Sequence, residues 1–238
     1  MKWDKEIVEG RFIRRYQRFF AEVELGGQIV VAHVPNTGSL RSCVESERPA
    51  LLSPSDRPER KLKFTLEALQ DPAGAWVGVN TSRPNHWVRE IFRQKLIPEW
   101  SSFDHFQGEV KINEKTRLDG MLLGPGGRKR YLEVKSVTWA EGTTAQFPDT
   151  VTERGQKHLL ELMDLVARGF EAEIIFILQR GDCEIFQPAA QLDPRYAELF
   201  FQARSKGVGM RVIPVELSPQ GYEFRCANEV EFLEEFRS

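Results

Sequence analysis

The spacing of apolar residues changes once along the chain, and the change divides the sequence into two parts. In the first part apolar and polar residues alternate, as in "RFFAEVEL", where Phe19, Ala21 and Val23 share one face. From "TSRPNHWVREIFRQKLIPEW" onward the spacing becomes that of helices between strands. Alternation indicates half-buried strands, whereas repeats every three or four residues indicate helices. The sequence therefore predicts an all-β domain at residues 1–82 and an α/β domain at residues 83–238.

The first domain is expected to be a small closed barrel. Gly26 and Gly27 join "RFFAEVEL" to "QIVVAHV", a pattern typical of a β-hairpin. The segment "KLKFTLEALQ" alternates again, whereas "PALLSPSDRPER" has the Pro, Ser and Asp content of an exposed loop. Several short antiparallel strands in a segment of this length favour an OB-like barrel.

The second domain is expected to alternate helices with strands. A helix with Val88, Ile91 and Phe92 on its buried face should end at Pro98. Strands follow near "FQGEVKIN", "RLDGMLL" and "RYLEVKSV", and a long helix covers roughly residues 152–168. "EAEIIFILQR" is typical of a buried central strand, "DPRYAELFFQARSKG" of a helix and "MRVIPVEL" of a last strand. This order predicts an α/β fold.

The composition excludes several classes of protein. Lys and Arg number 33 against 35 Asp and Glu, so a net charge of -2 leaves any nucleic-acid binding to a local patch. Three widely spaced cysteines without a CxxC pair argue against a zinc site and a disulfide framework. The N-terminus lacks an apolar signal segment, and no apolar run is long enough to cross a membrane. We therefore expect a cytoplasmic protein.

"RLDGMLLGPGGRKRYLEVKSVTW" places three charged side chains in segments that otherwise resemble core strands. Glu133 and Lys135 lie two residues apart, so they point to the same face of one strand. Asp119 lies on the preceding strand, across a turn rich in Gly and Pro, and antiparallel pairing would bring all three together. The alternative is the solvated face of a hairpin, because Glu-x-Lys alone is common on exposed strands.

Converging carboxylates at Asp119 and Glu133 indicate a site for Mg²⁺ or Mn²⁺. Two carboxylates, waters and a substrate phosphate are the usual ligands of Mg²⁺ in such sites. The ion polarises the phosphate and lowers the pKa of a bound water, and an adjacent Lys135 can orient that water or stabilise developing charge. The sequence therefore predicts a metal-dependent phosphodiester site in which these three residues are catalytic.

Four segments, "HVPNTGSL", "TRLDG", "YLEVKSVT" and "FPDTVTERGQKHLLEL", resemble the sugar fermentation stimulation protein A (SfsA) family over nearly the whole chain. The resemblance implies an N-terminal OB fold and a C-terminal domain similar to PD-(D/E)xK nucleases. It also implies DNA binding of low sequence specificity and a regulatory link to maltose metabolism. The acidic motif of the family falls on Asp119, and its Glu-x-Lys motif falls on Glu133 and Lys135. Gly120 departs from the bulky apolar residue that the pattern leads us to expect.

Nucleases of this wider group often add a Glu from the first helix and a Gln or basic residue from the second. Helical periodicity places Glu90 opposite the buried side of the first helix, which excludes it. Glu109, on the strand before Asp119, is a better candidate for a metal ligand, against the alternative of a surface ion pair. On the second helix, with Leu159, Leu162, Met163 and Val166 as the core stripe, Gln156 lies on the sheet-facing shoulder, and we expect it near the substrate.

Two further residues of the second helix are weaker candidates. His158 lies at the margin of the core stripe, where an imidazole is more often simply hydrogen-bonded than a general base. Arg154 lies near the helix N-terminus and is a candidate contact for a phosphate, because free N–H groups there attract anions.

"RFIRRYQRFF" holds four arginines and four aromatic residues in ten positions. Arginines pair with phosphates and aromatic rings stack on bases, which suits sequence-tolerant binding on an OB-type face. The candidate nucleic-acid contacts are Arg14, Arg15, Tyr16, Arg18 and Phe20. The alternative is an edge strand whose arginines pair with neighbouring glutamates.

Two functions remain open. The first is a Mg²⁺-dependent nuclease acting on DNA, single-stranded nucleic acid or RNA. The second is a non-catalytic DNA-binding regulator linked to sugar metabolism. A sugar-pathway enzyme has little support, because the chain has no phosphate-binding glycine loop and no Ser/His/Asp spacing.

Overall fold

The computed structural model describes residues 1–40, 43–114, 116–226 and 230–232. The strands are β1 (Val8–Tyr16), β2 (Phe20–Leu25), β3 (Gln28–His33), β4 (Pro49–Pro54), β5 (Phe64–Gln70), β6 (Trp76–Gly78), β7 (His105–Lys111), β8 (Arg117–Leu123), β9 (Lys129–Val137), β10 (Ala140–Glu141), β11 (Thr144–Phe147), β12 (Glu171–Leu178), β13 (Ile185–Pro188), β14 (Gly209–Ser218), β15 (Gly221–Phe224) and β16 (Glu231–Phe232). The helices are α1 (Arg83–Arg93), α2 (Glu153–Ala167) and α3 (Pro194–Ser205).

The first sheet closes on itself and confirms the OB-like barrel. Its strand order is β3-β2-β1-β4-β5-β6, and an additional parallel pairing of β3 with β5 closes the ring. The predicted hairpin is present as β2 and β3, and both turn glycines, Gly26 and Gly27, have positive φ. The barrel is filled by apolar side chains from these strands, among them Phe12, Val23 and Leu66.

Two details of the barrel differ from the prediction. The segment Pro49–Pro54, expected to be part of an exposed loop, is strand β4, with its four inner residues buried. Its two prolines stand at the strand ends, where a missing N–H interrupts no ladder. Phe19, expected in the core, is 44% exposed, because the chain turns at residues 17–19 and the strand begins only at Phe20.

The second domain is α/β, as predicted, and is built on a six-stranded sheet of order β15-β14-β12-β9-β8-β7. Strands β9, β12 and β14 run parallel, while β7, β8 and β9 form an antiparallel meander. A small four-stranded sheet, β10-β11-β13-β16, was not predicted. Gly120 is explained by Phe106, since a Cβ at Gly120 would lie 2.8 Å from that ring.

Helices cover both faces of the large sheet. Helices α2 and α3 pack on one face, where Leu159, Phe176 and Phe200 share a cluster. Helix α1 packs on the other face together with the barrel, and there Leu51 of β4 joins the same apolar cluster as Ile177 of β12. The barrel therefore lies directly against the domain that carries the acidic motif.

Buried ion pairs also join the two parts of the chain. Arg83, the first residue of α1, donates two hydrogen bonds of 2.9 Å to the buried carboxylate of Glu67 on β5. Arg180, just after β12, donates to Asp71 at 2.7 Å. Breaking one partner of a buried pair leaves an uncompensated charge and is strongly destabilising, so these contacts fix the domain arrangement. Among the described residues, no helix is long and apolar enough to cross a membrane.

Candidate active site

Strand β9 presents Glu133 and Lys135 to the face that α2 covers. Glu133 is 2% exposed, and its Oε1 accepts a hydrogen bond from Nζ of Lys135 at 2.5 Å. Leu132, which precedes Glu133, and Val134, which lies between the two, belong to the apolar cluster on the opposite face. Burial raises the pKa of Glu133, but the charge of Lys135 and the contact with His158 outweigh it, so the carboxyl ionises below its ordinary range. Glu133 is therefore a buried carboxylate.

Strand β8 brings Asp119 beside this pair. The β8–β9 ladder ends with Gly120 opposite Leu132, and beyond it the N–H of Val134 donates to Asp119 Oδ2 at 2.9 Å. The side chain of Asp119 thus takes the donor that a continued ladder would have used. Burial and then the charge of Glu133 raise the pKa of Asp119. The two carboxylates are therefore close enough to repel each other, and a bound cation would reduce this repulsion.

Asn85, in the first turn of α1, also holds Asp119. Its Nδ2 donates to Asp119 Oδ1 at 2.9 Å. Helical periodicity tests only a glutamate on this helix and does not predict Asn85. Glu90, which the periodicity excludes, pairs with Arg93. An amide in the first turn of an exposed helix end carries no sequence signal that distinguishes it from a surface residue.

His158 of α2 completes the buried cluster. It is 5% exposed, and its Nδ1 contacts Glu133 Oε1 and lies 3.3 Å from Lys135 Nζ. The buried residues of α2 are Gly155, His158, Leu159, Leu162, Met163 and Leu165. His158 thus belongs to the buried face of the helix. Including Gly155 in the stripe, instead of the half-buried Val166, would have revealed this position.

Gln156 is held by α3 and not by the acids. Its Nε2 donates to the two carboxylate oxygens of Asp193 at 2.9 and 3.1 Å. Asp193 also accepts the N–H of Thr152 and of Tyr196, at 2.9 Å each. Burial would raise the pKa of Asp193, but these N–H donors and Gln156 lower it below its ordinary value. Gln156 therefore ties the N-termini of two helices together at the edge of the cluster.

Two other predicted residues lie apart from the buried cluster. Glu109 has a positive φ of 52°, and its side chain is 77% exposed and paired with Arg117 at 2.9 Å. The structure thus shows Glu109 in a surface ion pair, which is the alternative to a role as a metal ligand. Arg154 is exposed in the first turn of α2.

The predicted nucleic-acid face of the barrel contains a stacked aromatic pair. The rings of Tyr16 and Phe20 lie 5.4 Å apart and 17° from parallel, and the guanidinium of Arg14 lies 5.3 Å from the Tyr16 ring. Arg14 also forms two hydrogen bonds of 2.7 Å to Glu22. Arg18 stands in the adjoining turn with a φ of 62° and is exposed.

Arg15 has a different position from the other arginines. Its guanidinium donates to the main-chain carbonyls of Arg18, Asn36 and Gly38 at 2.7 to 2.8 Å. A side chain committed to main-chain acceptors has few donors left for a phosphate. Arg15 therefore supports the loop at residues 35–39.

A cation fits the donor set at the acidic cluster. Glu133 Oε2 is buried and has no hydrogen-bond partner among the described residues, and neither has the hydroxyl of Tyr196. Burial and then the charge of Glu133 raise the pKa of Tyr196 well above its ordinary value. An unpaired oxygen of a buried carboxylate carries a large desolvation cost unless an ion or water meets it.

The protein supplies fewer ligands than a closed metal site requires. Within the described residues no group of three or more His, Cys, Asp or Glu side chains is arranged to hold an ion by itself. Asp119 and Glu133 would therefore hold a cation together with waters and substrate oxygens, which is how Mg²⁺ is usually bound. Each oxygen of Asp119 accepts one hydrogen bond and retains a lone pair for that purpose.

Two family models match most of the chain. The model described as the sugar fermentation stimulation protein RE domain matches residues 82–221, and the SfsA N-terminal OB domain matches residues 13–79.

Relatives and a solved structure match over nearly their whole length. A sugar fermentation stimulation protein homolog of Bdellovibrio bacteriovorus is 47% identical over 233 residues, covering 94% of this chain and 96% of the relative. A homolog from Geotalea uraniireducens is 44% identical over 216 residues, covering 90% and 93%. The structure of Pyrococcus furiosus SfsA in complex with Ca²⁺ superposes with a TM-score of 0.87 at 28% identity, covering 97% of this chain and 98% of that one.

Proposed function

The chain belongs to the sugar fermentation stimulation protein A family, and from that premise we propose that it is a divalent-metal-dependent nuclease. Residues 1–82 would bind nucleic acid with low sequence specificity, and residues 83–238 would cut it. The observation that carries the proposal is the buried, unpartnered Oε2 of Glu133 beside Asp119, whose pKa is raised. Perturbed carboxyls that meet at one point are typical of functional sites.

Asp119 and Glu133 are the residues that would hold Mg²⁺ or Mn²⁺. The Ca²⁺ complex of the Pyrococcus furiosus protein supports a divalent cation in this family. When bound, such a cation polarises a phosphate oxygen and lowers the pKa of a coordinated water. Asn85 and the Val134 N–H orient Asp119 for this role through the two hydrogen bonds that it accepts.

Lys135 is the candidate for stabilising charge at the phosphate. It is held against Glu133 Oε1 at 2.5 Å, so its ammonium group is fixed beside the cluster and cannot rotate freely. A fixed cation in a partly buried site stabilises developing negative charge more strongly than one in water. His158 contacts both side chains and therefore sets their relative position.

The barrel face of Tyr16 and Phe20, with Arg14 beside it, is the proposed binding surface. Stacking on aromatic rings tolerates any base, and an arginine that contacts a phosphate carries no sequence information. The partner would be DNA, with single-stranded nucleic acid and RNA as further substrates. Arg18 and Arg154, both exposed, would contribute additional phosphate contacts.

One observation favours the second candidate function, a DNA-binding regulator without catalysis, linked by the family resemblance to maltose metabolism. Lys135 and His158 already contact Glu133 Oε1, and this could satisfy the acid without a cation. The two candidates differ in whether the cluster binds a metal.

Calorimetric titration with Mn²⁺ in the absence of nucleic acid separates the two functions. The nuclease proposal expects one site per chain that is lost in Glu133→Gln and Asp119→Asn, while Asp104→Asn, an exposed carboxylate on the same domain, retains it. Absence of any specific Mn²⁺ site in the wild-type chain, together with retained DNA binding, would leave only the regulator.

A further inference from the structure

A cleft of about 260 Å³ lies between the barrel and the α/β domain. The barrel contributes residues 36–38 and Thr81, and the α/β domain contributes residues 136–139 and 146–152. In open α/β sheets, ligands bind beyond the carboxyl ends of the strands. Strand β9 ends at Val137 in this cleft, with its parallel neighbour β12 alongside. The cleft thus lies at the carboxyl ends of the parallel strands.

The barrel loop that lines the cleft, at residues 36–38, is held in place by hydrogen bonds. Ser39 donates its N–H and its hydroxyl to Asp149 Oδ2 at 2.9 and 3.2 Å. A Cβ at Gly38 would lie 2.7 Å from the same oxygen, so only glycine permits this approach. Asn36 accepts the Gly38 N–H at 2.7 Å and donates to Val79 O at 3.0 Å. The cleft is therefore formed before any ligand enters.

The lining is almost neutral. Among the described residues that line the cleft, Asp149 is the sole ionisable one, and it is bonded to Ser39. Hydroxyl groups are frequent in the lining, which includes Thr37, Thr81, Ser136, Thr150 and Thr152. Hydroxyls donate and accept hydrogen bonds without adding charge. This lining suits a neutral ring with polar edges, such as a nucleobase.

Trp139 supplies an aromatic surface in the cleft. It is half-buried, and no aromatic ring of the described chain contacts it. The other ring in the lining, Phe147, is held in the core by edge contacts of 5.8 Å to Phe176 and 5.3 Å to Tyr196. Trp139 is thus the ring on which a base can stack.

The cleft adjoins the acidic cluster along two elements. Val137 lines it and lies two residues after Lys135 on the same face of β9, a separation of about 6.6 Å along the strand. Thr152 also lines it and caps α2, the helix that carries His158. A strand whose phosphate lies at the acidic cluster could therefore place a neighbouring nucleotide in the cleft.

We propose that this cleft, bounded by the loop that Ser39 ties to Asp149 and lined by Trp139, receives one unpaired nucleobase of the nucleic-acid substrate. The proposal rests on the proposed function and deepens it by naming the substrate class: a strand that is single or locally unpaired at that nucleotide. The volume is slightly below the lower limit of about 300 Å³ for drug-sized ligands, which suits one nucleoside. A base within an intact duplex is paired and stacked, and cannot enter it.

Tryptophan fluorescence in EDTA tests the cleft separately from cleavage. Oligothymidylate and dTMP should quench the wild-type emission, whereas a blunt duplex should not. Trp139→Phe should abolish the quench and keep the oligonucleotide affinity, because a ring remains. Trp139→Ala should weaken that affinity about 5- to 150-fold, the range for loss of one base–aromatic stack. Trp76→Phe on β6, outside the cleft lining, is the matched control and should quench like the wild type.

The outcomes distinguish the cleft from the nuclease. Unchanged quenching in Trp139→Phe, equal quenching by duplex, or quenching by maltose but not by dTMP would each overturn the cleft proposal. If Trp139→Ala does not fold, the Trp139→Phe titration decides alone. If dTMP quenches the emission as expected but no metal-dependent cleavage occurs, the base-binding cleft stands and the nuclease function is ruled out. If no ligand quenches the emission and both Trp139 variants cleave normally, the nuclease function stands and the base-binding cleft is ruled out.

Discussion

The ammonium nitrogen of Lys135 lies 2.5 Å from Oε1 of Glu133, while Oε2 of the same carboxylate has no partner among the described residues. One carboxylate thus serves two purposes. Its first oxygen fixes the lysine, and its second is left without a partner, while burial and then the charge of the same carboxylate raise the pKa of Asp119. A bound cation would offset the repulsion between the two acids, and this favours its binding.

Replacement of His158 by Gln should lower the cleavage rate about 10- to 100-fold, as is typical for residues that orient metal ligands. The reason is that His158 contacts both Glu133 and Lys135. Single-turnover cleavage with Mg²⁺ measures the effect. His105→Gln, on the exposed side of β7, is the matched control. Equal rates for both variants would show that His158 only packs.

Asp119→Asn should raise the thermal midpoint at neutral pH while abolishing metal binding. The raised pKa of Asp119 means that its ionised form is unfavourable in the fold, and removal of the charge relieves both burial and repulsion by Glu133. Asn retains an acceptor for the Val134 N–H. Thermal denaturation in EDTA is the measurement. A lower midpoint than that of the wild type would contradict the repulsion.

Asp193→Asn should destabilise the protein at neutral pH by about 2 kcal/mol, since hydrogen bonds to a charged acceptor are stronger than neutral ones. The folded pKa of Asp193 is depressed, so its contribution is present above the unfolded value of about 3.9 and is lost as the pH falls through the folded pKa. Urea unfolding at several pH values should show the difference shrinking below about pH 4.

The control for that series is Asp164→Asn, which alters an exposed carboxylate paired with Arg168 at 3.3 Å. Exposed pairs contribute little, so its effect should stay within about 0.5 kcal/mol at every pH. A pH-independent difference for Asp193→Asn would contradict the role of its charge.

Arg14→Ala should weaken oligonucleotide binding uniformly across sequences and reduce the salt slope by about 1. Arg15→Ala should instead lower the thermal midpoint, because its guanidinium supports the carbonyls of Asn36 and Gly38. Binding as a function of salt, together with thermal denaturation, separates the two. Arg195→Ala, in an exposed pair with Glu198, is the control. An unchanged slope in Arg14→Ala would remove this face from the binding surface.

The sequence predicted the elements better than their ends. Alternation and turn glycines identify the β2–β3 hairpin, because period and turn chemistry are local properties. The same alternation, continued one residue too far, places Phe19 in the core, where a turn in fact exposes it. The prolines at Pro49–Pro54 suggest a loop, but this segment is a strand. Whether a strand end tolerates proline depends on the strands beside it, which sequence spacing does not show.

Some residues of the candidate site follow from local sequence spacing, whereas others depend on how distant elements pack. Glu133 and Lys135 share a face by the period of one strand, and this follows from sequence spacing. Asn85 reaches Asp119 from a helix 34 positions earlier, a relation that depends on helix packing. His158 could have been found from the buried stripe that begins at Gly155. The exposure of Glu109 and its pairing with Arg117 depend on the local path of the chain, where the φ of Glu109 is positive, and do not follow from sequence spacing.

Cleavage of nucleic acid at the acidic cluster with a divalent cation can be measured directly. The direct measurement is cleavage of labelled single-stranded and duplex DNA and of RNA with Mg²⁺ or Mn²⁺, beside binding of the same substrates in EDTA. We expect metal-dependent cleavage that is lost in Asp119→Ala, Glu133→Gln and Lys135→Ala, with binding retained in all three. Cleavage that persists in these variants, or absence of cleavage of every substrate by the wild-type chain with either metal, would contradict it.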